Sequence, residues 1–171
     1  MKGLTIAVSL VLAACSPQAA APQAEASIAA AADTQPTPAP APAGEPQTGL
    51  SQVPLTITSA NGAHRFTVDV AASPQQQETG LMFVKSLAPD RGMIFPYDPP
   101  QPVAFWMRNT LIPLDMIFVR ADGTIARIAT AKALDETPVP SGEPVAAVLE
   151  IAAGRAAELG ISPGDRVEWT R

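Results

Sequence analysis

The chain has 171 residues, the length of one ordinary domain rather than two. Hydrophobic residues are 47% of it, but much of that is alanine, which buries little, and 19 prolines point to a segment with no core of its own. A net charge of −5 argues against a phosphate-binding surface for DNA or RNA, one Cys excludes an internal disulfide, and one His excludes a His-cluster metal site.

Residues 1–15 read as a lipoprotein signal peptide. Lys2 precedes a short apolar run, residues 3–14, that is too short for a membrane-spanning helix and suits a signal-peptide core. The run ends in Leu12-Ala13-Ala14-Cys15, which resembles a lipobox. The expected modification is lipidation of Cys15, giving an exported, membrane-anchored, periplasmic protein. Ser16 after the Cys slightly favours the outer membrane.

Residues 16–52 hold seven Pro and twelve Ala with no Lys or Arg. The stretch Thr34–Pro42 favours polyproline II and offers nothing to bury. This segment is expected to be a disordered linker, about 35 Å from end to end if fully flexible.

Residues 53–171 are expected to form one β-rich domain. Leu55–Ile57 and Phe66–Val70 alternate apolar and polar around Asn61-Gly62, a hairpin signal. Ser73 with Gln76 forms a capping box, and Pro74 opens a helix expected near 74–84, with Leu81 and Val84 facing inward. Met93–Pro96 and Val103–Met107 read as strands, with the Pro-rich segment Phe95–Pro102 as a rigid rim that flanks the pocket. Met116–Val119 and Thr124–Ile128 form a second hairpin at Asp122-Gly123. Val145–Ile151 and Arg166–Thr170 are further strands. Between them a second short helix spans Gly154–Leu159, and Ser162–Asp165 fits a type II turn. The fold class is therefore mainly β, a compact antiparallel sandwich or small barrel with one or two short helices.

The segment Val103–Asp115 carries the densest chemistry. On an extended chain Phe105 and Met107 share one side and Trp106 takes the other. Arg108, Asn109 and Thr110 follow, all able to make directed hydrogen bonds, and Asp115 closes the segment. One reading is structural: Arg108 pairs with Asp115 across a loop. The other is a cleft for a small ligand or peptide, in which Trp106 stacks, Arg108 holds an anionic or carbonyl group, and Asp115 orients Arg108.

Several motifs occur in the order found in the domain of unknown function 192 family. They are Gly80-Leu81-Met82, Gly92–Phe95, Phe105–Thr110, Ile112–Asp115, Val148–Glu150, Gly154 and Gly160–Asp165. Residues 64–171 resemble that family throughout, most specifically at the FWM-K/R-NT and PLD motifs. The resemblance implies a compact β-rich domain, often exported, with no established reaction, ligand or cofactor. Val84 stands where many relatives carry a basic residue.

The expected function is that of a lipid-anchored binding or accessory domain, with ligand-binding residues Trp106, Arg108, Asn109, Thr110 and Asp115. No cofactor, metal or nucleic acid is expected. Its partners would be the membrane, through Cys15, and a small ligand or envelope protein. An alternative is an envelope-polymer hydrolase drawing a carboxylate pair from Asp98, Asp115, Glu150 and Asp165. A minor alternative is Cu(I) bound by Met82, Met93, Met107 and Met116. His64, near a hairpin end, reads as a surface imidazole.

Overall fold

The computed structural model describes residues 44–170; the leader, Cys15 and most of the linker lie outside them. Two hydrophobic alternations joined at Ala60-Asn61 pair as the hairpin β1 (Gln52–Ser59) and β2 (Gly62–Val70), with Leu55 opposite Phe66. Helix α1 (Pro74–Thr79) starts as expected. Ser73 accepts from the Gln76 N–H while the Gln76 side chain accepts from the Ser73 N–H. It stops at Gly80 rather than continuing to 84, because Gly80 takes φ 49°. Leu81 is still buried, but from the turn that follows the helix.

The chain then runs through β3 (Arg91–Gln101), β4 (Ala104–Phe105), β5 (Leu114–Val119) and β6 (Ile125–Ala131). It continues through β7 (Val139–Pro140), β8 (Val145–Ala152), α2 (Arg155–Glu158) and β9 (Arg166–Trp169). Seven strands form one sheet in the order β6-β5-β8-β3-β2-β1-β9, and β4 pairs with β7 in a separate ribbon. The fold is mainly β, as the alternation predicts. Two details differ. The sheet is mixed rather than antiparallel throughout, because β2 and β3 run parallel and α1 lies on the connection between them. It is also not a closed barrel. Its two edges approach at one end, where Ile125 donates to Asp165 O at 2.8 Å and Val167 to Gly123 O at 2.8 Å, but among the described residues an isolated bridge, Thr124 with Arg166, is the only β-pairing between them. The Pro-rich stretch after Phe95 is the far half of β3, with an irregularity between Pro96 and Gln101.

The central strands are apolar on both faces, so two cores form. On one face Ile94, Ile117, Val119, Leu149 and Ile151 pack with Leu55, Ile57, Phe66 and Val68. On the other, Met93, Phe95, Met116, Phe118 and Val148 pack with Leu81 and Met107. Adjacent residues such as Met93 and Ile94 fall into different cores, as the strand period of two requires. Gly92 is needed where β3 meets β8: a Cβ there would lie 2.5 Å from the Glu150 carbonyl oxygen.

Residues 44–51, which the sequence reading gives to the linker, run irregularly along the domain. Among them, Gln47 donates from its side-chain amide to Gly80 O at 2.7 Å and Gln76 O at 3.1 Å, satisfying carbonyls at the end of α1.

Candidate functional site

Met107 to Thr110 form a tight turn, closed by the Thr110 N–H donating to Met107 O at 3.0 Å, with Asn109 at φ 56°. Asparagine tolerates that conformation; most residues do not. Two neighbouring segments clamp the turn. The Phe83 N–H donates to Asn109 O at 2.9 Å. On the other side the Met107 N–H donates to Asp135 O, and the Leu134 N–H to Thr110 O, both at 3.0 Å. Phe83 and Leu134 also have positive φ, 65° and 61°. Among the described residues, the non-glycine residues with positive φ are these two and Asn109, so all of them belong to this one frame. Such backbone is held only where surrounding contacts over-determine it.

The side chains divide as the strand period predicts. Met107 is buried and Phe105 packs edge-on against Phe95 at a centroid distance of 4.9 Å. Trp106 points outward and is 45% exposed, with the Arg108 guanidinium 5.5 Å from its ring centroid. Thr110 is buried, and its hydroxyl lies 3.4 Å from Arg108 O. Asn109 directs its amide toward the Met82 sulfur at 3.8 Å.

Trp106 and the α1 end enclose a cleft in two parts. The outer part, about 260 Å³, is lined by Glu78, Thr79, Met82, Trp106, Arg108 and Asn109. The inner part is a cavity of about 30 Å³ that shares Glu78, Thr79, Met82 and Trp106 with it and adds Phe95, Phe105, Thr110 and Glu150.

Glu150, outside the expected ligand-binding set and one of the four acids of the hydrolase alternative, also lines the cleft. It sits on β8 directly opposite Met93 of β3 and Met116 of β5, and is 4% exposed. Among the described residues no donor bonds its carboxylate, and no fully buried side-chain oxygen lacks a partner, so the carboxylate touches the open space of the cavity. Burial alone pushes it up to about 8. Tyr97, on the same strand as Phe95, is pushed up to about 12, first by burial and then by the Glu150 charge. A signal for Glu150 was present: the run Val145–Ala152 is apolar apart from this acid, and such a run marks a strand buried on both faces.

Asp115 is not part of the cleft. Its neighbours in register place it with Ile117 and Val119 on the opposite face of the sheet. There it accepts from the Thr130 hydroxyl at 2.6 Å and the Ala156 N–H at 3.0 Å. The expected Arg108–Asp115 pair is therefore not made; the sheet lies between the two side chains. The same geometry separates Asp115 from Glu150 as a catalytic pair. Asp165 accepts from the Ser162 N–H within its turn, and Asp98 is exposed on β3. Of the methionines, Met93, Met107 and Met116 fill the core, and Met82 alone of the four lines the cleft. His64 bonds Ser59 Oγ at 2.9 Å, away from the cleft.

A second, larger pocket of about 490 Å³ lies elsewhere, lined by Ser51, Val53, Val70, Pro96, Tyr97 and Trp169 among others. Tyr97 faces this pocket rather than the Trp106 cleft, so the expected rim of that cleft is not built from the Pro-rich segment.

Two crystal structures resemble the chain closely. A protein of unknown function from Novosphingobium aromaticivorans is 51% identical with a TM-score of 0.71, over 77% of this chain and 94% of that one. A protein from Sinorhizobium meliloti, described only provisionally as a transcription regulator, is 43% identical with a TM-score of 0.70, over 72% of this chain and 97% of that one. Among curated proteins none matches. The family described as "Uncharacterized ACR" matches residues 56–169, from β1 to the last residue of β9, and the chain belongs to it: the domain of unknown function 192 family.

Proposed function

We propose that this is an exported, lipid-anchored binding domain that takes one end of a small ligand or peptide into the Trp106 cleft. The observation that carries the reading is Glu150: an acid without a hydrogen-bond partner among the described residues, lining a cavity beside an exposed tryptophan. Burying a carboxyl group without a partner is costly, so a site that keeps one needs a compensating use. Trp106 supplies a face for stacking, and Arg108 and Asn109 supply donors at the mouth. The anchor reading rests on Cys15 at the end of its apolar run and on the Ala- and Pro-rich residues that follow.

Amide chemical-shift mapping tests the binding role, with amino acids, short peptides and monosaccharides as probes. Shifts should gather at residues 78–82, 105–110 and 150, and Trp106→Ala should remove them. Shifts confined to the Tyr97 pocket, or none at all, refute the reading. Cys15→Ala should abolish acyl labelling in cells; continued labelling refutes the anchor.

A second reading has a specific observation behind it. Glu78 and Glu150 line the same cavity in unlike environments, one exposed and one buried, as the two acids of a glycoside hydrolase would be. The dimensions weigh against it, since about 30 Å³ holds a water-sized group and not a sugar ring. Release of sugars from envelope glycans, lost in Glu150→Gln, would favour this reading over binding. The regulator description of the Sinorhizobium meliloti protein gains no support from a net charge of −5.

A further inference from the structure

Taking the cleft as a binding site, we infer that it selects a primary ammonium group on a slim chain, seated against the Glu150 carboxylate with the rest of the ligand lying toward Arg108 and Asn109. Four features of the cavity converge on this chemistry. Its floor is an ionisable carboxyl group that no donor among the described residues reaches, so in its charged form a complementary ligand must bring donors. Its walls include the rings of Phe95, Phe105 and Trp106, whose faces attract cations. Glu78 adds a second carboxylate, and the residues closing α1, Gln77 to Gly80, line the same space at the negative end of that helix. No Lys, Arg or His is among the residues lining the inner part.

Size narrows the class further. A cavity of about 30 Å³ holds one water-sized group, which an –NH₃⁺ matches and a trimethylammonium exceeds. The outer part, at about 260 Å³, takes the chain that carries the amine, and its Arg108 and Asn109 donors suit a carbonyl or carboxylate on the same ligand. Such an amine occurs at a peptide amino terminus or on a lysine-type side chain.

The pH dependence separates an ammonium from a neutral partner. Glu150 is packed by Met93 from β3 and Met116 from β5. The charged or titratable groups lining its cavity are Glu78 from α1 and, at the mouth, Arg108; Tyr97 from β3 faces the other pocket but is close enough for the Glu150 charge to act on it. With Glu150 raised to about 8, an ammonium ligand must displace its proton, so affinity rises with pH up to that value. A hydroxyl or carbonyl ligand would instead accept from the neutral acid, and its affinity would fall above that value.

The test is calorimetry on the full-length chain in detergent, in two buffers of different ionisation enthalpy, with chemical-shift mapping alongside. The probes are N-acetyl-lysine amide, its ε-trimethyl and 6-hydroxy counterparts, and dialanine amide. The lysine probe should tighten about tenfold from pH 6.5 to 7.5 and release close to one proton at the lower pH. The trimethyl and hydroxy probes should bind at least about tenfold more weakly. Tighter binding of dialanine amide than of the lysine probe assigns the amine to a peptide terminus, and the reverse assigns it to a side chain. Glu150→Gln should flatten the pH profile, and Glu78→Gln and Trp106→Ala, both at exposed positions, should weaken binding with the fold intact. Equal binding of the hydroxy probe, or a flat profile for the amine, with cleft shifts still seen, overturns the ammonium inference and leaves the cleft standing. Silence of the cleft toward every probe overturns both.

Discussion

Replacing Glu150 by Gln should make the protein more stable at neutral pH and nearly unchanged in mild acid. The carboxyl group is raised from its ordinary 4.5 to about 8 in the folded state, and the cause is burial. Between those values the native state holds a proton that the unfolded chain has released, so unfolding is favoured progressively as pH rises. The contribution is fully present below about 4.5 and is lost on the way to about 8. At about 1.4 kcal/mol per pH unit, roughly 3 kcal/mol should disappear between pH 5 and 7.5. That corresponds to a midpoint change on the order of 10 °C for a domain of this size. Glutamine preserves the shape and cannot titrate, so the difference between the two proteins isolates this group. Asp122 is held below its ordinary value by hydrogen bonds from the Thr124 backbone and hydroxyl, and Asp135 by those from Thr137. Both act at lower pH and are common to the two proteins. Urea unfolding of each at pH 5, 6, 7 and 7.5 is the assay. Stability curves that run parallel across this range would refute the assignment of a neutral, buried acid at position 150.

Other substitutions test the frame. Gly92→Ala places a methyl 2.5 Å from the Glu150 carbonyl oxygen and 3.0 Å from Ile151 Cγ2, so β3 and β8 must separate; a loss of about 1–3 kcal/mol is expected in denaturant unfolding, and a change below about 0.5 kcal/mol contradicts the packing. Asp115→Ala leaves the buried Ala156 N–H without its acceptor, with an expected loss of about 1–3 kcal/mol and no effect on ligand shifts in the cleft, since the two lie on opposite faces. Trp106→Ala should change stability by less than about 1 kcal/mol, because the ring is 45% exposed, while removing binding; a large loss of stability would make Trp106 a packing residue.

The elements with strong local signals were legible before the structure. Asn61-Gly62 marked the first hairpin, Ser73 and Gln76 the start of α1, and the alternation in Phe105-Trp106-Met107 placed Trp106 outward. What escaped was set by tertiary register. The parallel pairing of β2 with β3 depends on how α1 returns the chain, which no local pattern encodes. The ribbon strand β7, two residues long and containing Pro140, has no periodicity to read. Gln47 looked like linker because its neighbours are Gly, Pro and Thr, yet its side-chain amide donates to two carbonyls at the end of α1. Of the residues expected together, Trp106, Arg108, Asn109 and Thr110 line one cleft, whereas Asp115, near Arg108 in sequence, lies across the β-sheet from it.

The two acids buried in the central strands differ in how their oxygens are satisfied. Asp115 and Glu150 occupy neighbouring positions on adjacent strands, and both are less than 5% exposed. Asp115 is matched: a hydroxyl and a backbone N–H reach its two oxygens, so its burial ties β5 to β6 and to the start of α2. Glu150 is left with an opening instead of donors, although Thr110 and the α1 end line the same cavity and a modest change of sequence there could have supplied one. Beside that opening the chain holds Asn109 in left-handed backbone, bonded by Phe83 and Leu134 segments that share the conformation without lining the cleft, and such backbone opposes folding unless neighbours enforce it. An unmatched acid and a strained turn both oppose stability, and Glu150 and Asn109 line adjoining parts of one cleft, a coincidence that the proposed binding role would explain.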